Sequence, residues 1–388
     1  MTAKGPGRGA RNRAAEWVVG AMALDGGGPD WARPPERPAL IAPLALHHGV
    51  EGWVRRRARA AGVVLPGVEE AVHSAVARYQ RTLAELAFVN TALTDAAVPF
   101  VVVKGPALVS QFYDGPEWRS SVDLDVLVRP KDVDRALRAL ESGGAAVLDA
   151  NWPLLDRLGV HELVIQGAVG GVIDLHWSLG PRWGTAASSP AAATLISRAR
   201  RITIDAVEVL TLDWGDTVVH VASHAAAAGG NRLLWCADLR AALAVAPDDS
   251  VALLAGRAAE WSAGPALHLM LIRAGHALGL VPPDGLVRRL SAGAGWSGLV
   301  RGVESVFPLA SETGGPSLPR IVARSSRRDT SASWRALAGK ASIFLTGRIG
   351  LGERPFRGQP DDPRSGYYPA GGSAARASFL AGLEALEG

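Results

Sequence analysis

The sequence predicts an α+β protein, with a mixed-sheet core flanked by an N-terminal helical region and a C-terminal helical domain. Three observations carry this prediction. Between residues 96 and 180, short apolar runs rich in Val, Ile and Leu alternate with amphipathic stretches and Gly-containing turns. On either side, apolar residues recur at three- and four-residue spacing, the signature of helices with one buried face. A chain of 388 residues with 48% hydrophobic and 20% charged residues also has ample apolar surface for a large core.

Taken in order, residues 1–38 are rich in Gly, Pro and Arg and read as a flexible basic N-terminus. Residues 39–95 read as the helical region, with "VEEAVHSAVARYQRTLAELAFVNTAL" (68–93) its clearest amphipathic helix. The core follows at 96–180. "VPFVVVKG" is an apolar strand ending in Gly105, and Pro106 then starts the helix "PALVSQFY". "DGPEWRSS" is a loop, "VDLDVLV" a strand and "KDVDRALRALESGG" a helix stopped at Gly143. "HELVIQG" and "GVIDLHWSL" read as two strands of a hairpin. Residues 181–310 read as mostly helical, and 311–388 as a basic Pro/Gly-rich tail, partly disordered.

The net charge of +4 is too small to argue for nucleic acid. Its distribution is uneven: residues 320–357 hold nine Lys/Arg against Asp329 and Glu353, a local +7, which leaves about −3 for the rest of the chain. The single cysteine, Cys236, excludes an intramolecular disulfide and any multi-cysteine zinc site, and fits a reducing cytoplasm. No stretch approaches the length of a membrane span, and the basic N-terminus runs into no continuous apolar segment of the kind a secretory signal needs.

The residues that carry chemistry begin with "RSSVDLDVLV" (119–128). Alternation along a strand sends Asp123 and Asp125 to the same face, where their like charges repel. A divalent cation, a shared proton or a fixed Lys or Arg must offset that repulsion. Asp174 again stands within an apolar strand, where an unpaired carboxylate is expensive. His176, two residues on, shares its face and reads equally as a base, a metal neighbour or a satisfied core histidine. His220 and His224 share a helix face and read as packing or pocket lining. Arg232 is a possible anion contact, and the scattered tryptophans read as core and pocket walls.

In combination, "FVVVKGPALVSQFY…WRSSVDLDVLV…GVIDLHWSL…HVASH…RLLWCADL" resembles the uncharacterised nucleotidyltransferase family of the polymerase-β-like superfamily, over roughly residues 40–280. The resemblance implies a nucleotidyltransferase-like mixed sheet. It also implies that Asp123, Asp125 and Asp174 are both the metal ligands and the catalytic carboxylates, holding Mg²⁺ or Mn²⁺. The co-substrate would be an NTP whose monophosphate is moved to an acceptor hydroxyl. Gly105 stands where the superfamily's turn meets the triphosphate, but Pro106 replaces the second Gly or Ser and brings no N–H or hydroxyl. Phosphate contacts are therefore expected from Lys104 and Arg119, with His176 and Arg232 nearby on the donor. The implied partners are a nucleotide donor and an unidentified acceptor, which family context extends to a modified peptide. RNA is not favoured, because the positive charge is expected in the tail and not on the core. The rival readings are a glycosyltransferase holding a sugar nucleotide through Asp-x-Asp, and a catalytically idle nucleotide-binding scaffold.

Overall fold

The computed structural model describes residues 8–22, 38–180, 189–290, 293–311, 317–327, 329–345 and 360–387. Among the described residues, seven strands form one mixed sheet: β1 (Phe100–Val102), β2 (Leu124–Val128), β3 (Ala146–Val147), β4 (Glu162–Gln166), β5 (Val172–His176), β6 (Arg200–Ile204) and β7 (Val207–Thr211). Their order across the sheet is β3-β4-β5-β2-β1-β7-β6. β2 and β5 lie parallel at its centre, β1 runs antiparallel to β2, and β4 and β5 form the expected hairpin.

Period-two alternation sorts the central strands between two cores. Leu124, Val126 and Val128 face one core together with Ile173 and Leu175, whereas Leu127 and Val101 face the other. Asp125 shares its face with Leu127, and Asp174 and His176 alternate away from Ile173 and Leu175. The acidic face therefore looks toward the core built from the helices Ile41–His48, Trp214–Ala228, Leu233–Ala244 and Gly264–Leu278.

The sequence pattern and the structure differ in three places. "RITIDAVEVLT", within the stretch expected to be mostly helical, forms the β6–β7 hairpin. Asp205 takes a left-handed φ of 55° at its turn, and the strands on either side alternate in burial. The helix Arg8–Ala21 lies in the segment expected to be flexible, and its "AAEWVV" stripe buries Trp17 and Val18. Residues 360–387, expected as part of a tail, return to the sheet. The Asn151 amide donates to the carbonyls of Pro363 and Ser365, Arg376 pairs with Glu141, and Phe379, Leu380 and Leu383 are buried beside Trp152 and Trp177. Residues 346–359 lie outside the described residues.

Two buried polar ties hold the architecture around the site. Glu85, on the long helix Val68–Asp95, is fully buried and accepts from the backbone N–H groups of Val169 and Gly171 at 2.8 and 2.7 Å. This fastens the β4–β5 turn. Gly167 and Gly171 are needed there because a Cβ at either position would come within 2.2 and 2.5 Å of the Glu85 side chain. His48 bridges three segments as a neutral imidazole. Its Nε2–H donates to the Ala310 carbonyl at 3.2 Å, and its Nδ1 accepts from the Leu233 N–H at 3.3 Å.

Replacing the buried Glu85 by Ala strips two part-buried turn N–H groups of their acceptor and is expected to cost about 1–2 kcal/mol. Urea unfolding measures it, and a loss below about 0.5 kcal/mol would contradict this role for the carboxylate. A second expectation concerns acid. Burial, followed by the nearby His47, lowers the His48 pKa to about 3, well below its ordinary value. The unfolded chain then takes up a proton that the folded one refuses, so stability is lost as pH falls from about 6.5 toward 3, by about 1.4 kcal/mol per pH unit from this group. The His48→Gln variant should show an acid limb shallower by about one proton; parallel limbs would contradict the assignment.

Candidate active site

The site is built on the two central parallel strands. Their register places Asp125 of β2 directly beside Asp174 of β5. Asp125 is 1% exposed and Asp174 8%, so neither charge is relieved by water. Lys104, at the end of β1, brings its Nζ to 2.8 Å from Asp125 Oδ1. His176 Nε2 lies 3.1 Å from the same oxygen, and its Nδ1 lies 3.3 Å from Glu162 Oε2. The antiparallel register that sets Glu162 opposite His176 makes the second contact. The repulsion legible in the sequence is thus offset by a fixed lysine and by an imidazole held between two carboxylates.

The electrostatics follow from this arrangement. Burial pushes Asp125 up, but Lys104 and the His176 hydrogen bond outweigh it and hold the carboxyl well below its ordinary range. Asp174 goes the other way, to about 7, through burial and then the charges of Glu162 and Asp125. Asp123 is raised by burial and by Asp125. Burial opposes protonation of His176, yet Glu162 and the Asp125 hydrogen bond outweigh it and raise its pKa above the ordinary imidazole value.

Ligand atoms of Asp125, Asp174 and His176 lie within 4.8 Å of one another, and Asp125 Oδ2 is buried with no hydrogen-bond partner. An orphaned carboxylate oxygen beside a second carboxylate fits a hard divalent cation. Asp123, expected as the partner of Asp125, precedes β2 and lines the same cleft half-buried; the close trio contains His176 in its place.

The cleft has a volume of about 880 Å³. Gly105, with φ 55° and ψ −119°, lets the 119–123 loop come close, since a Cβ there would sit 2.9 Å from Ser121 Oγ. The Arg119 guanidinium, expected to reach a phosphate, is instead bidentate on buried Asp238 at 2.9 and 3.2 Å, and Tyr113 donates to the same carboxylate at 2.7 Å. A fork this deeply buried holds the loop to the helix Leu233–Ala244, because leaving Asp238 unpaired would cost several kcal/mol. Arg232 is exposed at the cleft wall, 5.9 Å from the ring centroid of Trp235. His220 and His224 line the same wall; His220 is buried against Trp261, and burial with the Lys104 charge lowers its pKa to about 3. Cys236 is buried, and burial pushes its thiol up to about 12, so it is inert packing.

Sequence reasoning passed over Glu162 and Tyr113. A lone Glu in the apolar run "HELVIQ" was a readable signal of the same kind as Asp174. Tyr113 gave none, because its partner lies 125 residues away.

A mixed sheet that carries buried carboxylates on its two central parallel strands and opens on a cleft under a helical half is the scaffold of a nucleotidyltransferase. The chain belongs to the uncharacterised nucleotidyltransferase family, whose profile matches residues 34–279, well over half of its length. It is accordingly a transferase of phosphorus-containing groups. No curated protein matches it. Among the described residues, no helix is long and apolar enough to cross a membrane.

Proposed function

We propose that the protein moves a nucleoside monophosphate from an NTP to a hydroxyl of a small-molecule, peptide or RNA acceptor, with a divalent cation held by Asp125 and Asp174. The observation that carries this reading is the register pairing of those two buried carboxylates, both of which line the cleft and one of which has an unpartnered oxygen. Mg²⁺ or Mn²⁺ suits such a pair, and an imidazole in the set tilts the preference toward Mn²⁺. When bound, the cation neutralises phosphate charge and polarises the transferring phosphoryl group.

The chain's own residues supply the rest. Glu162 orients His176, as the outer partner of a ligand histidine does. Lys104 brings a fixed positive charge to the donor, which matters because phosphoryl transfer gains mainly from positioning and charge neutralisation. Gly105 keeps the floor of the cleft open. The acceptor oxygen bonds to the α-phosphorus as the bond to pyrophosphate breaks, and the hydroxyl proton passes to the Asp174 carboxylate. Asp123, beside the trio, is a further ligand candidate for the cation, and Arg119 positions the loop that carries it.

Isothermal titration of the full chain with ATP, CTP, GTP, UTP and UDP-glucose, each with Mg²⁺ or Mn²⁺, tests the reading. One NTP should bind in a metal-dependent manner, and Asp125→Asn, its folding checked by thermal unfolding, should weaken that binding by about two decades. Binding of UDP-glucose alone would favour sugar transfer, and metal-independent binding by both proteins would favour an idle scaffold.

A further inference from the structure

The described part of the basic C-terminal tract packs against the helical core. The helix Leu318–Ala323 is fastened to the helical core by Arg273, whose Nη2 donates to the Pro319 carbonyl at 3.0 Å while its Nη1 donates to the carbonyls of Gly229 and Gly230. Arg273 is itself buried and paired with Glu304 at 2.5 Å. Arg324 closes the Leu318–Ala323 helix, Arg327 follows in the next turn, and Lys340 lies on the helix Thr330–Leu345. The turn is ordered by Ser333, whose Oγ accepts from the Arg327 N–H at 2.9 Å. Arg324, Arg327 and Lys340 all line the cleft that holds Asp125 and Asp174.

Arg327 is the most informative of the three. It is half-buried, and its Nη1 donates to the carbonyls of Arg324 and Ser326 at 2.7 and 3.1 Å. Among the described residues no carboxylate pairs with it, and burial alone lowers its pKa. Three carboxylates of the cleft are already engaged: Asp125 with Lys104, Glu162 with His176, Asp238 with Arg119. A guanidinium partly desolvated without a counter-charge is costly unless an anion completes it.

These three cations also stand beyond residues 34–279, the part shared with the family. The shared part contains Lys104, Gly105 and the carboxylates, which is the equipment a nucleotide donor needs. Cations contributed from outside it therefore fit the other substrate. We propose that Arg327, with Arg324 and Lys340, forms an anion subsite that takes a phosphate group carried by the acceptor. This rests on the nucleotidyl-transfer reading for its place in the reaction, though not for its existence. Phosphate is favoured over a carboxylate because it carries close to two charges and three acceptor oxygens, a better match to a guanidinium fork backed by further cations.

The test uses three probes on the full chain: inorganic phosphate, acetate, and the NTP found to bind with Mn²⁺. Lys340→Gln alone and the Arg327→Gln/Lys340→Gln double variant should both unfold near the wild-type temperature. The double variant should lose at least about tenfold in phosphate affinity while its metal-dependent NTP affinity stays within about threefold. Unchanged phosphate affinity would overturn the subsite. A parallel fall in NTP affinity would overturn the acceptor assignment, placing these cations on the donor triphosphate. Equal losses with acetate and phosphate would overturn phosphate as the ligand class. If the wild type binds no NTP yet the variant still loses phosphate, the anion subsite stands and the nucleotidyl-transfer reading fails.

Discussion

The structure turns on two aspartates held side by side under a helical roof. Asp125 and Asp174 are neighbours across parallel strands, almost without water, and two like charges so placed cannot both persist unaided. Much of the surrounding geometry answers that constraint. β1 ends where Lys104 reaches Asp125, β5 carries His176 one face-repeat beyond Asp174, and β4 is registered so that Glu162 holds the other side of the imidazole. The pair splits electrostatically: Asp125 stays a carboxylate, and Asp174 sits at about 7. One oxygen of Asp125 is left without a partner beside the fixed positive charge of Lys104.

Buried polar ties keep that arrangement in place by coupling distant segments. Glu85 fixes the turn of the hairpin that delivers Glu162, Asp174 and His176. Arg119, Tyr113 and Asp238 join the loop before β2 to the helical half, so the cleft has one floor and one opposing wall. Arg273 does the same for the C-terminal cations. Each of these groups is costly to bury and more costly to leave alone, which makes each junction specific.

Much of the site was legible in the sequence because its signals are local. A carboxylate inside an apolar strand stands out, and Asp125 and Asp174 announce themselves that way. The alternation that pairs Asp123 with Asp125 on one face reads equally well, but β2 starts only at Leu124, so Asp123 sits at the strand's entrance and His176 completes the close trio. What could not be read depends on long-range registration. Arg119 looks like a free loop cation until the fold brings Asp238 to it. The charge tract after residue 320 looks like a solvated tail until Arg273 draws its first helix onto the core. Residues 360–387 return to the sheet through Asn151, more than 200 residues away in the chain. The β6–β7 hairpin was readable by its alternation, and the helix-rich composition around it masked the signal.

The most direct measurement is anomalous diffraction from crystals soaked in Mn²⁺. A peak bonded to Asp125 and Asp174, with Lys104 drawn back from Asp125, is the predicted result. An ordered site in which Lys104 still holds Asp125 and no metal lies between the two aspartates would contradict it.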